Sequence, residues 1–359
     1  MNPLALAALW SEKKITGRVF IRPVILFIFQ GFEVICLSLI KKNTMAKLIL
    51  NRFLLGLLTL FAVSVLIFVC TEILPGDVAS AVLGMGATPE ALVIFRKELG
   101  LDVPAYLRYW NWLVGALHGD LGVALTNKRV IIDEIMPRLG NTLFLAGYAA
   151  LVAIPLAVGL GILAAINEGK ITDKLANITT LIAISLPEFF IAYLLIIFMA
   201  VNVDWFPSLS TVFKDMPFSE RVYQTTLPAI TLTLLVAAHM LRMTRSSVLA
   251  VMSTPYIEMA FLKGARRKRV IVRHALPNAA APIITVIALN MAYLVVGVVV
   301  IEAVFVYPGL GQLMVDAVSK RDVPVIQACG LVFATVFVTL NTLADILVIV
   351  VNPRLRHKR

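Results

Sequence analysis

Charge is scarce in this chain. Only 15% of its 359 residues are Asp, Glu, Lys or Arg, where an ordinary soluble domain carries about 25%. Sixty per cent are hydrophobic and the mean hydropathy is +0.92, a balance that excludes a soluble globular domain and leaves an integral membrane protein. Cysteine is scarce too. Cys36, Cys70 and Cys329 lie far apart in apolar runs without CxxC or Cys/His spacing, which excludes a cysteine-based metal or redox site and reads them as small buried hydrophobes. The phosphate-cradling pattern GxxxxGK(S/T) is missing: Gly169–Lys170 is followed by Ile171 and has no glycine five residues before it, so no ATP chemistry belongs to this chain. HExxH, GxSxG and a Ser/His pairing on one helix face are missing as well. Those absences count against an intramembrane enzyme, in which His239 or His274 would have to act with a carboxylate.

Long apolar runs are what the chain does have. A bilayer core about 30 Å thick needs about 20 apolar helical residues, and six runs qualify: Phe53–Thr71, Thr142–Ile166, Ile178–Val201, Leu227–Leu241, Pro282–Val306 and Ile326–Val351. The formal charge of +11 reports orientation rather than a nucleic-acid partner, because Lys and Arg in short loops stay on the cytoplasmic side. Arg242 to Arg273 holds eight Lys/Arg against Glu258 alone, and the tail 352–359 holds four more with no acid. Both belong in the cytoplasm, and the loops near 203–226 and 307–325 belong outside. The chain then divides into an N-terminal extension (1–44), a first transmembrane helix (45–72), an external loop (73–140), a transmembrane core (141–351) containing the basic loop 252–277, and the tail. The extension reads as an interfacial helix flanked by basic residues, or as a mis-assigned start with Met45 the true one. Leu99–Gly122, rich in aromatics and turn formers, predicts short helices on the outer face.

The basic loop has its own local grammar. Thr254–Pro255 offers a helix N-cap and first-turn proline, and Gly264 the left-handed residue that closes a helix. Ile257, Ala260 and Phe261 recur at helical spacing, giving an apolar face. A second helix, from about Arg266 to Ala275, places Val270, Ile271 and His274 on one side and is expected to break at Pro277. The order Glu258, Ala260, Gly264, Leu276, Pro277 resembles, with matching spacing, the EAA loop E-A-A-x3-G-x9-I-x-L-P of binding-protein-dependent ABC importer permeases. Met259 and His274 depart from it. LPGD (Leu74–Asp77), LGLDVP (Leu99–Pro104), GDLG (Gly119–Gly122), RLGNTL (Arg138–Leu143), PGLGQLMVDAV (Pro308–Val318), RDVP (Arg321–Pro324) and NPRLR (Asn352–Arg356) narrow the resemblance to the dipeptide, oligopeptide and nickel class.

That resemblance implies an all-α type I importer permease with six transmembrane helices and no enzyme activity. It implies a second homologous permease, two cytoplasmic ATPase subunits that carry ATP and magnesium, an external solute-binding protein and surrounding membrane lipid. Glu258, Ala260, Phe261, Gly264, Leu276 and Pro277 would then couple to the ATPase, with the apolar face docking. Short peptides are the expected solutes, with nickel or glutathione as alternatives. Ionisable groups at bilayer depth are costly, which makes Glu188, His239, Glu302 and Asp345, with Asn290 and Asn341, candidates for the solute path. Pro187 is expected to loosen the third helix beside Glu188. Ala157, Gly159 and Gly161 are read as close-packing positions. A self-sufficient channel or secondary transporter would need no such basic loop and usually shows repeated halves.

Overall fold

In the computed structural model, residues 45–73, Thr88, Glu90 and 103–351 are described. The expectations for the extension 1–44, for Leu74–Asp77 and for the tail 352–359 lie outside those residues. The chain divides into two compact units, Met1–Leu50 and Asn51–Arg359; of the first, residues 45–50 are described, as the opening turns of a helix.

The described elements are all helical. They are α1 (Met45–Glu72), α2 (Ala105–Leu117), α3 (Ile131–Ile166), α4 (Ile171–Ser185), α5 (Glu188–Leu195), α6 (Phe218–Met252), α7 (Pro255–Leu262), α8 (Arg267–Val270), α9 (Leu276–Val304), α10 (Leu310–Lys320) and α11 (Val323–Val351). Wide π turns follow α5 (Ile196–Asn202) and join α8 to α9 (Ile271–Ala275). Five helices are long and apolar enough to cross a membrane, and the bent pair α4–α5 makes a sixth span if counted as one.

Three boundaries differ from the sequence reading, each for a local reason. The second long helix opens at Ile131 rather than near Thr142, because Ile131 and Ile135 are fully buried and Asp133 and Glu134 occupy the first turn of α3, where acids suit the helix dipole. The third span is broken rather than loosened: α4 and α5 meet at 106°. Pro187 holds Leu186 extended at φ −90°, ψ 138°, as a residue before proline prefers. Pro277, expected to stop a helix, instead lies in the first turn of α9, where its missing N–H costs nothing. The π turn before it takes up the change of pitch, and the His274 carbonyl accepts from Asn278 Nδ2 at 2.7 Å and the Tyr256 hydroxyl at 3.0 Å.

α3, α6 and α9 form the core, with α5 against them. The seam on α3 is lined by alanines: Ala149, Ala153 and Ala157 are completely buried. Small side chains let backbones approach, which is how helices associate when lipid removes most of the hydrophobic drive. Gly161 continues the seam, since a Cβ there would lie 2.8 Å from Thr244 Cβ and 2.9 Å from the Leu241 carbonyl. Gly159 does not, as a Cβ there meets nothing within 4 Å. Gly161→Val is therefore expected to destabilise the bundle by about 1–3 kcal/mol through overpacking, and Gly159→Val far less. Thermal unfolding of the two variants in detergent checks this, and equal midpoints would contradict it. Of the two cysteines among the described residues, Cys70 is exposed and Cys329 buried, so of these two Cys329 alone fits the reading as a buried hydrophobe. Along α1 and α11, Arg52 pairs with Asp345 at 2.9 Å, Gly56 faces Thr342, Ile67 faces Gly330, and Gln327 Nε2 donates to Thr71 Oγ1 at 2.7 Å.

Candidate functional site

The basic loop forms a corner at one end of the bundle. Thr254 occupies the N-cap position of α7 with extended backbone, and its carbonyl accepts from the Ile257 and Glu258 amides at 3.0 and 3.2 Å. Its hydroxyl does not cap α7 as expected; it donates back to the Val251 carbonyl at 2.5 Å. At the other end Gly264 has φ +78°. Its amide bonds the Phe261 carbonyl at 2.9 Å and the Ala265 amide bonds that of Ala260 at 3.2 Å, the paired closing bonds of a helix that ends on a left-handed residue. Nothing lies within 4 Å of the place a Cβ would take on Gly264, so glycine is required there by backbone conformation alone.

The apolar face of α7 is turned the other way from the one expected. Ile257, Val270 and Ala275 are completely buried and form a small core with Ala260, Ala265, Val251 and Met252. Ile257 and Ala260 thus fix the corner to the chain's own body, because they are the residues that α6, α8 and the π turn can cover. Leu276 packs nearby against the seam of α6 and α9, while Pro277 is exposed. Tyr256, Met259, Phe261 and Leu262 face outward, Leu262 with 75% of its surface free. Around them Glu258, Lys263, Arg266, Arg269 and Arg273 are exposed and make no ion pair among the described residues. An apolar surface rimmed by unpaired cations, on a loop held rigidly from behind, is suited to gripping another protein.

The family described as "Binding-protein-dependent transport system inner membrane component" matches residues 157–357, and the one described as "Binding-prot-dependent transport system membrane comp, N-term" matches residues 45–146. The chain belongs to this family of inner-membrane permeases. Among its relatives is the glutathione transport system permease protein GsiC of Escherichia coli strain K12, 37% identical over 306 residues, or 85% of this chain and 97% of the relative. GsiC of E. coli O6:H1 strain CFT073 and of Shigella flexneri serotype 5b match with the same identity and coverage. The chain is therefore an ABC importer permease of the peptide and nickel class, a multi-pass inner-membrane transport subunit and not an enzyme.

The polar residues that the sequence places inside this permease have quite different surroundings. Glu302 is completely buried, and its carboxylate is fully engaged by hydrogen bonds. Its Oε1 accepts from the Thr142 hydroxyl at 2.6 Å, and its Oε2 from the Gly311 and Gln312 amides at 2.6 and 3.3 Å. The Leu310 amide in turn donates to Thr142 Oγ1 at 2.8 Å. Leu310, Gly311 and Gln312 open α10, whose N-cap is Gly309 and has no side chain to offer. Glu302 and Thr142 thus supply, from two separate spans, the acceptors that the start of a helix lacks. Neighbouring bonds tie the same end together: Asn141 accepts from Arg221 Nη2 at 3.0 Å and donates to the Pro308 carbonyl at 2.8 Å. The Tyr307 hydroxyl, pushed up to about 12 by burial, stays protonated and donates to the Asn141 carbonyl at 3.1 Å.

Asp345, half-buried, is neutralised by Arg52, and the buried Asn290 donates to its own helix at Val286. His239 is exposed and Asn341 half-buried. Glu188 stands apart. It is half-buried beside Gly297 and Leu232, with its carboxylate oxygens 3.9 Å from where a Gly297 Cβ would stand, and it makes no hydrogen bond or ion pair among the described residues. An ion pair the sequence reading missed lies near the basic corner: Arg245 donates to both oxygens of the buried Asp173, at 2.6 and 2.9 Å. In sequence Arg245 reads as one of the topology-setting cations. The connection that holds Asp173 also holds Glu168, so no local signal in the sequence singles out the pair.

Proposed function

We propose that this permease forms half of the path of an ATP-driven importer for short peptides, glutathione, itself a tripeptide, included. A second homologous permease completes the path, a solute-binding protein delivers the solute, and two ATPase subunits carry ATP and magnesium. The corner at Gly264 is the element they grip. What carries this reading is the geometry of α7: its inner face is fixed by Ile257 and Ala260, while Tyr256, Met259 and Leu262 are exposed beside cations that make no ion pair among the described residues. Glu258 and Phe261 complete that outward surface, and Leu276 and Pro277 link it to α9.

Closure of the ATPase pair would push the corner as a rigid lever, and α9, continuous with it through the π turn, would carry the motion into the core. The excess of Lys and Arg in the loop and the tail supports a cytoplasmic position for this end and for both termini. Glu188, unpaired at the break between α4 and α5, is the carboxylate assigned to the solute path; His239, Asn341 and Asp345 rank below it because they are exposed, uncharged or already neutralised.

The permease pair, ATPases and binding protein reconstituted in liposomes are expected to accumulate glutathione or trialanine only with ATP and magnesium on the ATPase side. Uptake that persists after ATP depletion would overturn the coupling role. Accumulation of nickel with neither peptide would overturn the solute assignment.

A further inference from the structure

We propose that α2 lies in the membrane surface itself, with one face in the lipid interface. The helix has no buried residue, yet it is fixed to the last turns of α1. The Tyr109 and Ser64 hydroxyls are 2.9 Å apart, the Phe68 ring meets Tyr109 edge-on at 5.4 Å and Trp112 at 6.3 Å, and Arg108 pairs with Glu72. Ser64 lies about 12 Å inside the end of α1 at 1.5 Å per residue. The span Ile49–Glu72 ends at Glu72, so α2 runs beside the span and not beyond it.

At about 100° per residue, the surface of α2 divides into three stripes. Tyr109 and Trp112 face α1. Asn111, with His118 just past the helix end, marks a narrow polar edge beside Leu107. Tyr106, Trp110 and Leu117 form an apolar stripe, with 71%, 60% and 77% of their surfaces free. The apolar stripe points away from the polar edge, and on the neighbouring span Val65 and Val69, with Ile73 just past its end, are exposed as well. A helix with protein on one flank, water on a second and hydrocarbon on a third has its faces arranged in this way. Trp and Tyr suit that depth because their rings are apolar and their N–H or O–H edges reach water. A soluble partner approaching from outside would meet the polar edge instead.

The test is quenching of Trp110 fluorescence in the complete transporter, reconstituted in bilayers whose lipids carry bromine either on the upper acyl chain or near its end. Trp110 emission is obtained as the difference between wild type and Trp110→Phe, a change small enough to leave the fold intact. Upper-chain bromine is expected to quench it by about half, and terminal bromine clearly less, as for a face buried about 5–10 Å below the headgroups. Equal insensitivity to both lipids, in the complete transporter or only once the partner subunits are added, would overturn the proposal. The first result would mean water on that face and the second a protein partner.

Discussion

Gly264→Val is expected to cut ATP-driven uptake roughly tenfold while the permease still inserts and assembles. Glycine there has φ +78° with open space where a side chain would go. The penalty is therefore conformational and local, about 1–2 kcal/mol for an ordinary residue in the left-handed region and more for a β-branched one. No clash reaches the small core of Ile257, Val270 and Ala275, so the bundle has no reason to unfold. What changes is the closing turn of α7, and with it the direction in which Tyr256, Met259 and Leu262 face. About 1.4 kcal/mol of misplacement is enough for a tenfold loss. Gly264→Asn, which tolerates the left-handed region, should keep most of the activity. The assay is uptake into proteoliposomes together with the amount of ATPase subunit that copurifies. Normal uptake in the valine variant would remove the coupling role from this corner.

Glu302→Ala is expected to destabilise the whole permease, by about 3–6 kcal/mol. The carboxylate is completely buried and accepts from Thr142 and from the Gly311 and Gln312 amides. Removing it leaves two or three buried donors unsatisfied at about 1–3 kcal/mol each, and the start of α10 loses its remote cap. Glu302→Gln keeps one acceptor oxygen but turns an amide N–H₂ toward another donor, so its cost should be smaller, about 1–3 kcal/mol. Gly309→Ala should resemble the alanine variant, since a Cβ there runs into the Glu302 carboxylate. Thermal unfolding in detergent ranks the variants. A Glu302→Ala protein as stable as wild type would show that the three bonds contribute nothing, and selective loss of uptake without loss of stability would return Glu302 to the solute path.

The two glycine-linked sites were legible to different degrees for a physical reason. Gly264 is visible in the sequence because a helix terminator is a local property: backbone conformation, caps and spacing involve residues a few positions apart. Glu302 is visible only as an ionisable group in an apolar run. Its partners Thr142 and Gly311 lie on other elements, and no local rule distinguishes a carboxylate that lines a path from one that caps a distant helix. Arg245 shows the same limit, being indistinguishable in sequence from the exposed cations until Asp173 is placed beside it.

Hydropathy and charge distribution by themselves determined that the chain is a membrane protein, where its spans lie and that a basic loop interrupts them, because those properties depend on transfer of local segments between water and lipid. The motif order determined the family. Only the tertiary structure decided that Ile257 and Ala260 face inward, that the third span breaks by 106°, and that Glu302 is a fastener while Glu188 has no partner among the described residues. Each of these depends on which surfaces meet across helices far apart in the chain, and packing of that kind carries no periodic signal along the sequence.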